Sequence, residues 1–522
     1  MKHIEIYDST LRDGSQGEGI SFSVADKIKI VKALDEFGID YIEAGNPGSN
    51  PKDLLFFEEM KKIKLKYSKL CAFGSTRRNN VETSQDANIK SLLSANTPVC
   101  AIFGKSWDLH VTEILKISLE DNLKIVYDTV NYLKELGKEV VFDAEHFFDG
   151  YKNNSEYAMK VIDTAIKAGA DCVCLCDTNG GMMPNALGEI TNVVSKTFHK
   201  TKIAIHCHDD CGCAVANSVT AVQNGASSVQ GTFVGFGERC GNADLSTIIA
   251  NLALKCGYSV AGNIKELRQT ATFISEVSNV RLRNNKPYVG KSAFAHKGGM
   301  HIDGVMKLPR SFEHIDPELV GNHRKFLTSE VSGRGTILPK IQKFIPGIDK
   351  NSPEAAKLLA VLKEREFYGY TYEAAEASFE LLIKKQLGLW KPSFNIEFFK
   401  TNDDFPASDG SMQASAIVSL NVNGKTEITG AVGNGPVNAL DVALRRALCV
   451  FYPQISSMHL TDFKVRVIDM SSTTAAKIRV LIESTNGDES WTTIGVSNDI
   501  IEASFTALTD SFEYILSRKG EY

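Results

Sequence analysis

Eight short apolar runs, each followed by a longer stretch of helical period, repeat through the first half of the chain. This alternation restricts the fold more than any other feature. The runs are "IEIYDS" (4–9), "DYIEAG" (40–45), "LCAFGS" (70–75), "VCAIFG" (99–104), "VVFDAE" (140–145), "CVCLCD" (172–177), "IAIHCHD" (203–209) and "VQGTFVG" (229–235). They are rich in Ile, Val and Phe, as buried parallel strands are. Between them, "SEYAMKVIDTAIKAGAD" places Ala158, Val161, Ile162, Ala165 and Ile166 on one stripe of a surface helix. Gly38, Gly137 and Gly169 stand where helices would end. Eight such units over about 250 residues predict a (β/α)8 TIM barrel. A doubly wound open sheet needs the same alternation but usually fewer strands. With 522 residues, the chain is too long for one core, so further domains follow the barrel.

The polar residues favour the barrel. Asp8, Glu43, Glu145, His146, Asp177, Thr178, His206 and His208 all stand at the ends of these runs. In a barrel, the carboxyl ends of all the strands converge on one rim. In "IAIHCHDDCG" (203–212), His206 and His208 are two residues apart and so face one side of a strand. A third ligand has to come from another strand, and "STLRDGSQ" supplies Arg12 and Asp13 as the first strand ends. His/His/Asp with open positions suits a divalent cation such as Zn²⁺ or Mn²⁺. Asp209 and Asp210 are read as orienters or as helix caps. An arbitrary His-x-His is more simply two hydrogen-bonded histidines. The strand end, the acidic pair and Gly212 move this one toward a metal. Asp-Gly is a common turn dipeptide, and Arg12 pairing with Asp13 is the plain alternative for the first motif. The two motifs together are specific.

The net charge of -5 offers no basic footprint for nucleic acid. No apolar run is long enough to span a membrane, and a core strand beginning at residue 3 leaves no room for a signal peptide. Eleven cysteines without a pairing pattern or a CxxC read as reduced thiols of a cytoplasmic protein. Cys172, Cys174 and Cys176 share one strand face as small apolar fillers.

"LRDGSQ" followed by Lys27, and "IAIHCHDDCG" followed by Ala216 and Ser218, resemble the two signatures of the alpha-isopropylmalate/homocitrate/citramalate synthase family. These are metal-dependent Claisen-condensing barrels, related more distantly to hydroxymethylglutaryl-CoA lyase. The resemblance continues through "GFGERCGNADL" (235–245), "AFAHKGGMHIDGV" (293–305) and "GNGPVNALDVAL" (433–444), and it covers nearly the whole chain. "PGSNPKD" (47–53) and "AFGSTRR" (72–78) look most like the branch that joins acetyl-CoA to pyruvate in isoleucine biosynthesis. The alternatives are the isopropylmalate branch, acting on 2-ketoisovalerate, and a non-catalytic metal or amino-acid sensor.

The resemblance implies that Asp13, His206, His208 and Asn242 hold the metal (Mn²⁺, Zn²⁺ or Mg²⁺). It implies that Arg12 stabilises the developing alkoxide and that Thr178 binds the pyruvate carboxylate, unless Thr178 only caps a helix. Glu145 is read as either an acid/base group or an orienter. His301 is implied as the base, with Asp303 as its orienter, and His296 is its rival. Where several relatives carry a tyrosine, "IDPELVGNHRKF" (315–326) has His323 and Arg324. Arg77 and Arg78 are basic enough to meet CoA phosphates, but a solvated charged loop is the simpler reading.

The expected organisation is a catalytic barrel at 1–270, mainly helical linker subdomains at 271–390, and an α+β regulatory and dimerisation domain at 391–522. The resemblance implies a homodimer with isoleucine as effector of the last domain. "GNGPVNAL" lacks the lysine of a phosphate loop and reads as a turn opening a helix.

Overall fold

The computed structural model describes residues 2–327, 341–342, 344–349, 352–404, 413–468, 476–487 and 489–518. "SGRGTI" (332–337), expected as a break in the linker, lies outside the described residues. The chain forms two compact units. The first comprises residues 1–294 and 314–324, and the second comprises 295–313 and 325–522.

The first unit is a closed parallel barrel. Its strands are β1 (His3–Asp8), β2 (Tyr41–Glu43), β3 (Lys69–Ser75), β4 (Val99–Lys105), β5 (Glu139–Glu145), β6 (Cys172–Asp177), β7 (Lys202–Cys207) and β8 (Ser228–Gly231). Each pairs in parallel with the next, and β1 joins both β8 and β2, which closes the ring. A short β9 (Ser259–Val260) adds to β1. The predicted (β/α)8 barrel is therefore present, with each strand within a few residues of its expected place. The eighth strand is the one cut short. After Gly231 the chain enters a 3₁₀ turn at Phe233–Gly235, with Val234 at φ 63°. Lys286 holds that turn by donating to the Val234 carbonyl at 2.9 Å.

The helices around the barrel are α1 (Val24–Phe37), α2 (Pro51–Met60), α3 (Ala87–Ser94), α4 (Leu119–Glu135), α5 (Phe147–Asn153), α6 (Ser155–Lys167), α7 (Pro184–Thr197), α8 (Ala214–Gln223), α9 (Leu245–Leu254) and α10 (Leu267–Val277). Their local signals are legible. Ser23 and Asp26 form a reciprocal capping box on α1, and Gly38 ends it in the left-handed region at φ 99°. The α6 stripe buries Tyr157, Ala158, Val161, Ile162 and Ala165, as the 3.6-residue period requires. Inside the ring, Cys174 and Cys176 pack with Tyr7, Tyr41, Cys71 and Val141, so the alternating cysteines do fill one face of β6.

In the second unit, β10 (Ala295–His296) pairs with β11 (Lys325–Phe326), and α11 spans Gly299–Lys307. Helices α12 (Pro353–Phe367) and α13 (Glu376–Gln386) follow. The rest is a repeated pattern of three antiparallel strands and a helix. β12 (Asn395–Asp404), β13 (Gln413–Val422) and β14 (Lys425–Gly433) are followed by α14 (Pro436–Phe451). β15 (His459–Val467), β16 (Ile478–Thr485) and β17 (Ser490–Ser497) are followed by α15 (Ile500–Ser517). "GNGPVNAL" opens α14 as expected. Among the described residues, no helix is long and apolar enough to cross a membrane.

Candidate active site at the carboxyl end of the barrel

A cavity of about 260 Å³ opens where the strands end, lined by Arg12, Asp13, Gln16, Phe73, Phe103, Asp143, Glu145, Cys176, Thr178, His206, His208, Glu238 and Arg239. Five residues expected from sequence at this site are therefore brought together from β1, β6 and β7, and Glu145 joins them from β5. His206 is the penultimate residue of β7, and His208 stands just beyond the strand, bridged through its backbone to Asn242.

Asp13, His206 and His208 present ligand atoms that all lie within 4.8 Å of one another. Asp13 Oδ2 is 3.3 Å from His206 Nε2 and 3.9 Å from His208 Nε2. Burial alone would raise the Asp13 carboxyl. Arg12 and the two histidines outweigh it and hold the group well below the usual carboxylate range. Burial and the neighbouring His206 push His208 down to about 4, so its imidazole is neutral and free to ligate. Two buried polar atoms lack hydrogen-bond partners here: His208 Nδ1 and Asn242 Oδ1. Orphaned buried acceptors are uncommon in folded proteins. A carboxylate, two imidazoles and an amide oxygen suit a borderline divalent cation, so these residues fit a metal. Asn242 Nδ2 is committed to the Phe236 carbonyl at 3.2 Å, which leaves Oδ1 for ligation.

Arg12 is fixed. Its Nε lies 2.5 Å from Glu43 Oε1, and its guanidinium sits 3.8 Å from the Phe73 ring centroid. The simple Arg12–Asp13 pair is looser, at 3.7 Å. Glu43 is fully buried and also accepts from Ser9 Oγ and Tyr7 OH, both at 2.6 Å. Glu145 is ion-paired with Lys105. Thr178 Oγ1 accepts the His146 N–H at 2.9 Å, and the N-cap position of α7 falls at Met183, so Thr178 does not cap that helix.

Other expectations need correction. Asp8 does not face the rim. It is fully buried and turned onto Thr10, accepting from Thr10 N at 3.0 Å and Thr10 Oγ1 at 2.8 Å. Asp177 likewise accepts from the backbone of Gly181 and Met182. For the acidic pair, the cap reading holds at Asp209, which accepts the Ala214 N–H at 2.9 Å at the start of α8, whereas Asp210 pairs with Arg239 at 2.7 Å. Arg77 is no solvated charge: it is largely buried and paired with Asp128 at 2.7 Å.

His301 and Asp303 belong to the second unit, on α11. His301 stacks on Phe312 with centroids 4.5 Å apart, and Asp303 pairs with Lys307 at 2.6 Å. Residues two apart on a helix do not face each other, so Asp303 does not orient His301 here. The rival His296 is bonded to Glu313 at 3.1 Å.

Asp143 was missed by the sequence reading. It lines the cavity beside Glu43 and His206, accepts from Gln230 Nε2 at 3.0 Å, and is pushed up to about 7 by burial and by Glu43. It stands two residues before Glu145 on β5, and the two-residue period that paired the histidines also points to it.

Residues 3–274 match the HMGL-like family, 288–366 a homocitrate synthase post-HMGL domain-like family, and 373–516 the LeuA allosteric (dimerisation) domain. The (R)-citramalate synthase of Aquifex aeolicus (strain VF5) is 52% identical over 520 residues, covering 99% of this chain and 98% of its own. The chain belongs to the alpha-isopropylmalate/homocitrate/citramalate synthase family. Within that family, the (R)-citramalate synthase of Geobacter sulfurreducens (strain ATCC 51573 / DSM 12127 / PCA) is 50% identical, covering 100% of this chain and 99% of its own. The 2-isopropylmalate synthase of Shewanella sediminis (strain HAW-EB3) is 30% identical, covering 96% and 93%.

Proposed function

We propose that this chain is an (R)-citramalate synthase, condensing acetyl-CoA with pyruvate to give citramalate and CoA. The observation that carries this is the gap in similarity. Citramalate synthases match over nearly the full length at 44% to 52% identity, whereas 2-isopropylmalate synthases match at 29% to 30%. Phe73 and Phe103 stack along the cavity wall with centroids 5.4 Å apart and offer an apolar surface to the alkyl group of the keto acid.

Asp13, His206, His208 and Asn242 would hold a divalent cation (Mn²⁺, Zn²⁺ or Mg²⁺), which would supply Lewis acidity at the keto group. Thr178 already accepts from His146, so its own O–H is free to donate to the pyruvate carboxylate. Arg12, pinned by Glu43, turns its remaining N–H groups toward the oxygen that becomes the alkoxide. Glu145, tethered by Lys105, orients groups at the wall. By the resemblance, His301 is the base for the proton of the acetyl methyl, a transfer to which imidazole is suited near neutral pH. The match to the LeuA allosteric (dimerisation) domain supports a homodimer with an allosteric effector, and the effector assigned here is isoleucine, the end product expected of the citramalate branch.

The test is thiol release from acetyl-CoA with added Mn²⁺ or Mg²⁺, comparing pyruvate, 2-ketobutyrate, 2-ketoisovalerate and 2-ketoglutarate, with and without chelator. Chelator-sensitive release confined mainly to pyruvate is expected. A preference for 2-ketoisovalerate would move the chain to the isopropylmalate branch. Silence with every keto acid, despite bound metal, would leave the sensor reading.

A further inference from the structure

The turn after His208 carries chemistry that the condensation does not use. Cys211 and Cys213 flank Gly212 in "DCGC". Cys211 is exposed and Cys213 half-buried, whereas the cysteines on the barrel strands are all buried. The chain bends between them. Gly212 donates its N–H to the Asp209 carbonyl at 2.9 Å and sits at φ 71°, a left-handed conformation that glycine adopts freely. Residues two apart are separated by at most ~7 Å, and a bend shortens this toward the ~4.4–6.8 Å between Cα atoms that a disulfide spans. The two thiols also sense each other: partial burial together with the charge and hydrogen bond of Cys213 raises the Cys211 thiol.

We propose that Cys211 and Cys213 form a reversible disulfide within this turn, which makes it a thiol-oxidation site. The inference does not depend on which keto acid the enzyme uses. The oxidant is a small disulfide such as oxidised glutathione. One cysteine loses its proton, and its sulfur attacks a glutathione sulfur, releasing one glutathione and leaving a mixed disulfide. The second cysteine, also deprotonated, attacks the protein-side sulfur and releases the other glutathione. Two electrons and two protons pass from the cysteine pair to the glutathione disulfide. An exposed disulfide in so small a ring belongs to the labile, easily reduced class.

Trypsin releases Ile203–Arg239 as one peptide carrying three cysteines: Cys207, Cys211 and Cys213. The intact protein is treated with oxidised glutathione at about pH 8, where thiolates form, then denatured and alkylated. The peptide is expected to be lighter by two hydrogens and to take one alkyl group, on Cys207. After dithiothreitol it takes three. Cys211→Ser and Cys213→Ser each abolish the loss of two hydrogens. Three alkyl groups on the wild type after treatment with oxidised glutathione, or a product that stops at the glutathione adduct, would overturn the proposal. So would a cross-link to Cys240, whose loop touches the turn through the Asp209 N to Gly241 O bond at 3.0 Å.

Discussion

Arg12 is held in place before any substrate arrives, by a buried carboxylate on one side and an aromatic face on the other. Lysine cannot reproduce that planar fork. Arg12→Lys is expected to lower kcat roughly 10²–10³-fold, the size seen when one donor to a developing oxyanion is lost. Metal content, measured by elemental analysis, should stay unchanged. Loss of metal together with activity would make Arg12 a scaffold for Asp13 rather than a donor to the alkoxide. The histidine pair was legible because a strand has a period of two. Asp143 obeys the same period on β5 and was legible in principle. Asp8 was not, because a strand-end carboxylate either faces the rim or folds back, and the Thr10 hydroxyl that turns it back gives no sequence signal of its own. Burial, opposed by the Thr10 bonds, raises Asp8 from 3.8 to about 7. An acid raised in this way binds its proton more tightly when folded. Its contribution to stability is therefore full below pH 3.8 and is lost as pH rises through about 7. Asp8→Asn should remove that slope. Between pH 4 and pH 7 the variant should gain on the wild type by about 1 kcal/mol per pH unit in urea unfolding. A difference independent of pH would show that Asp8 does not titrate in this window.

At the scale of elements, the site depends on two loops that touch. Gly180, after β6, accepts the Cys211 N–H at 3.1 Å and adopts φ 61°. A Cβ there would lie 2.4 Å from Asp210 Oδ2 and 2.8 Å from Asp210 N. Gly180→Ala is therefore expected to displace the His208–Asp210 turn. Stability should fall by about 1–3 kcal/mol, and metal affinity roughly 10-fold or more, as when a ligand's support is lost. Gly181→Ala is the control, since nothing lies within 4 Å of its Cβ. It should change stability by about 0.5 kcal/mol or less. Equal effects at both positions in calorimetry and metal titration would remove the argument from close packing. Most strands were legible because each is one uninterrupted apolar run. The end of β8 was not. "VQGTFVG" stays apolar past Gly231, and the chain leaves the sheet at a turn anchored by Lys286, which also pairs with Asp244 at 3.1 Å. That anchor comes from about fifty residues away, beyond the reach of any local pattern.

At the scale of the whole chain, alternation revealed the barrel, but it gave no hint that residues 314–324 return to the first unit. Nor did it indicate the two-residue pairing of Ala295–His296 with Lys325–Phe326, because strands that short carry no period. The twofold pattern of three strands and a helix in the second unit was read only as an α+β domain. Since Asp13, His206, His208 and Asn242 all lie in the first unit, a metal bound there stabilises that unit by mass action. Free cation at 100 times its Kd should add about 2.7 kcal/mol. Differential scanning calorimetry of the full chain, with Mn²⁺ and then with a chelator, should show the barrel's melting move down by several degrees on metal removal. The melting of the β12–α15 region should hold its position, as reported by near-UV circular dichroism of a Trp107→Phe, Trp390→Phe chain, whose remaining tryptophan, Trp491, is buried there. His208→Ala should already melt at the lower temperature and ignore added metal. A chelator that moved the Trp491 signal as far as the barrel would show that the two units unfold as one. A His208→Ala protein still stabilised by Mn²⁺ would show that the cation sits elsewhere.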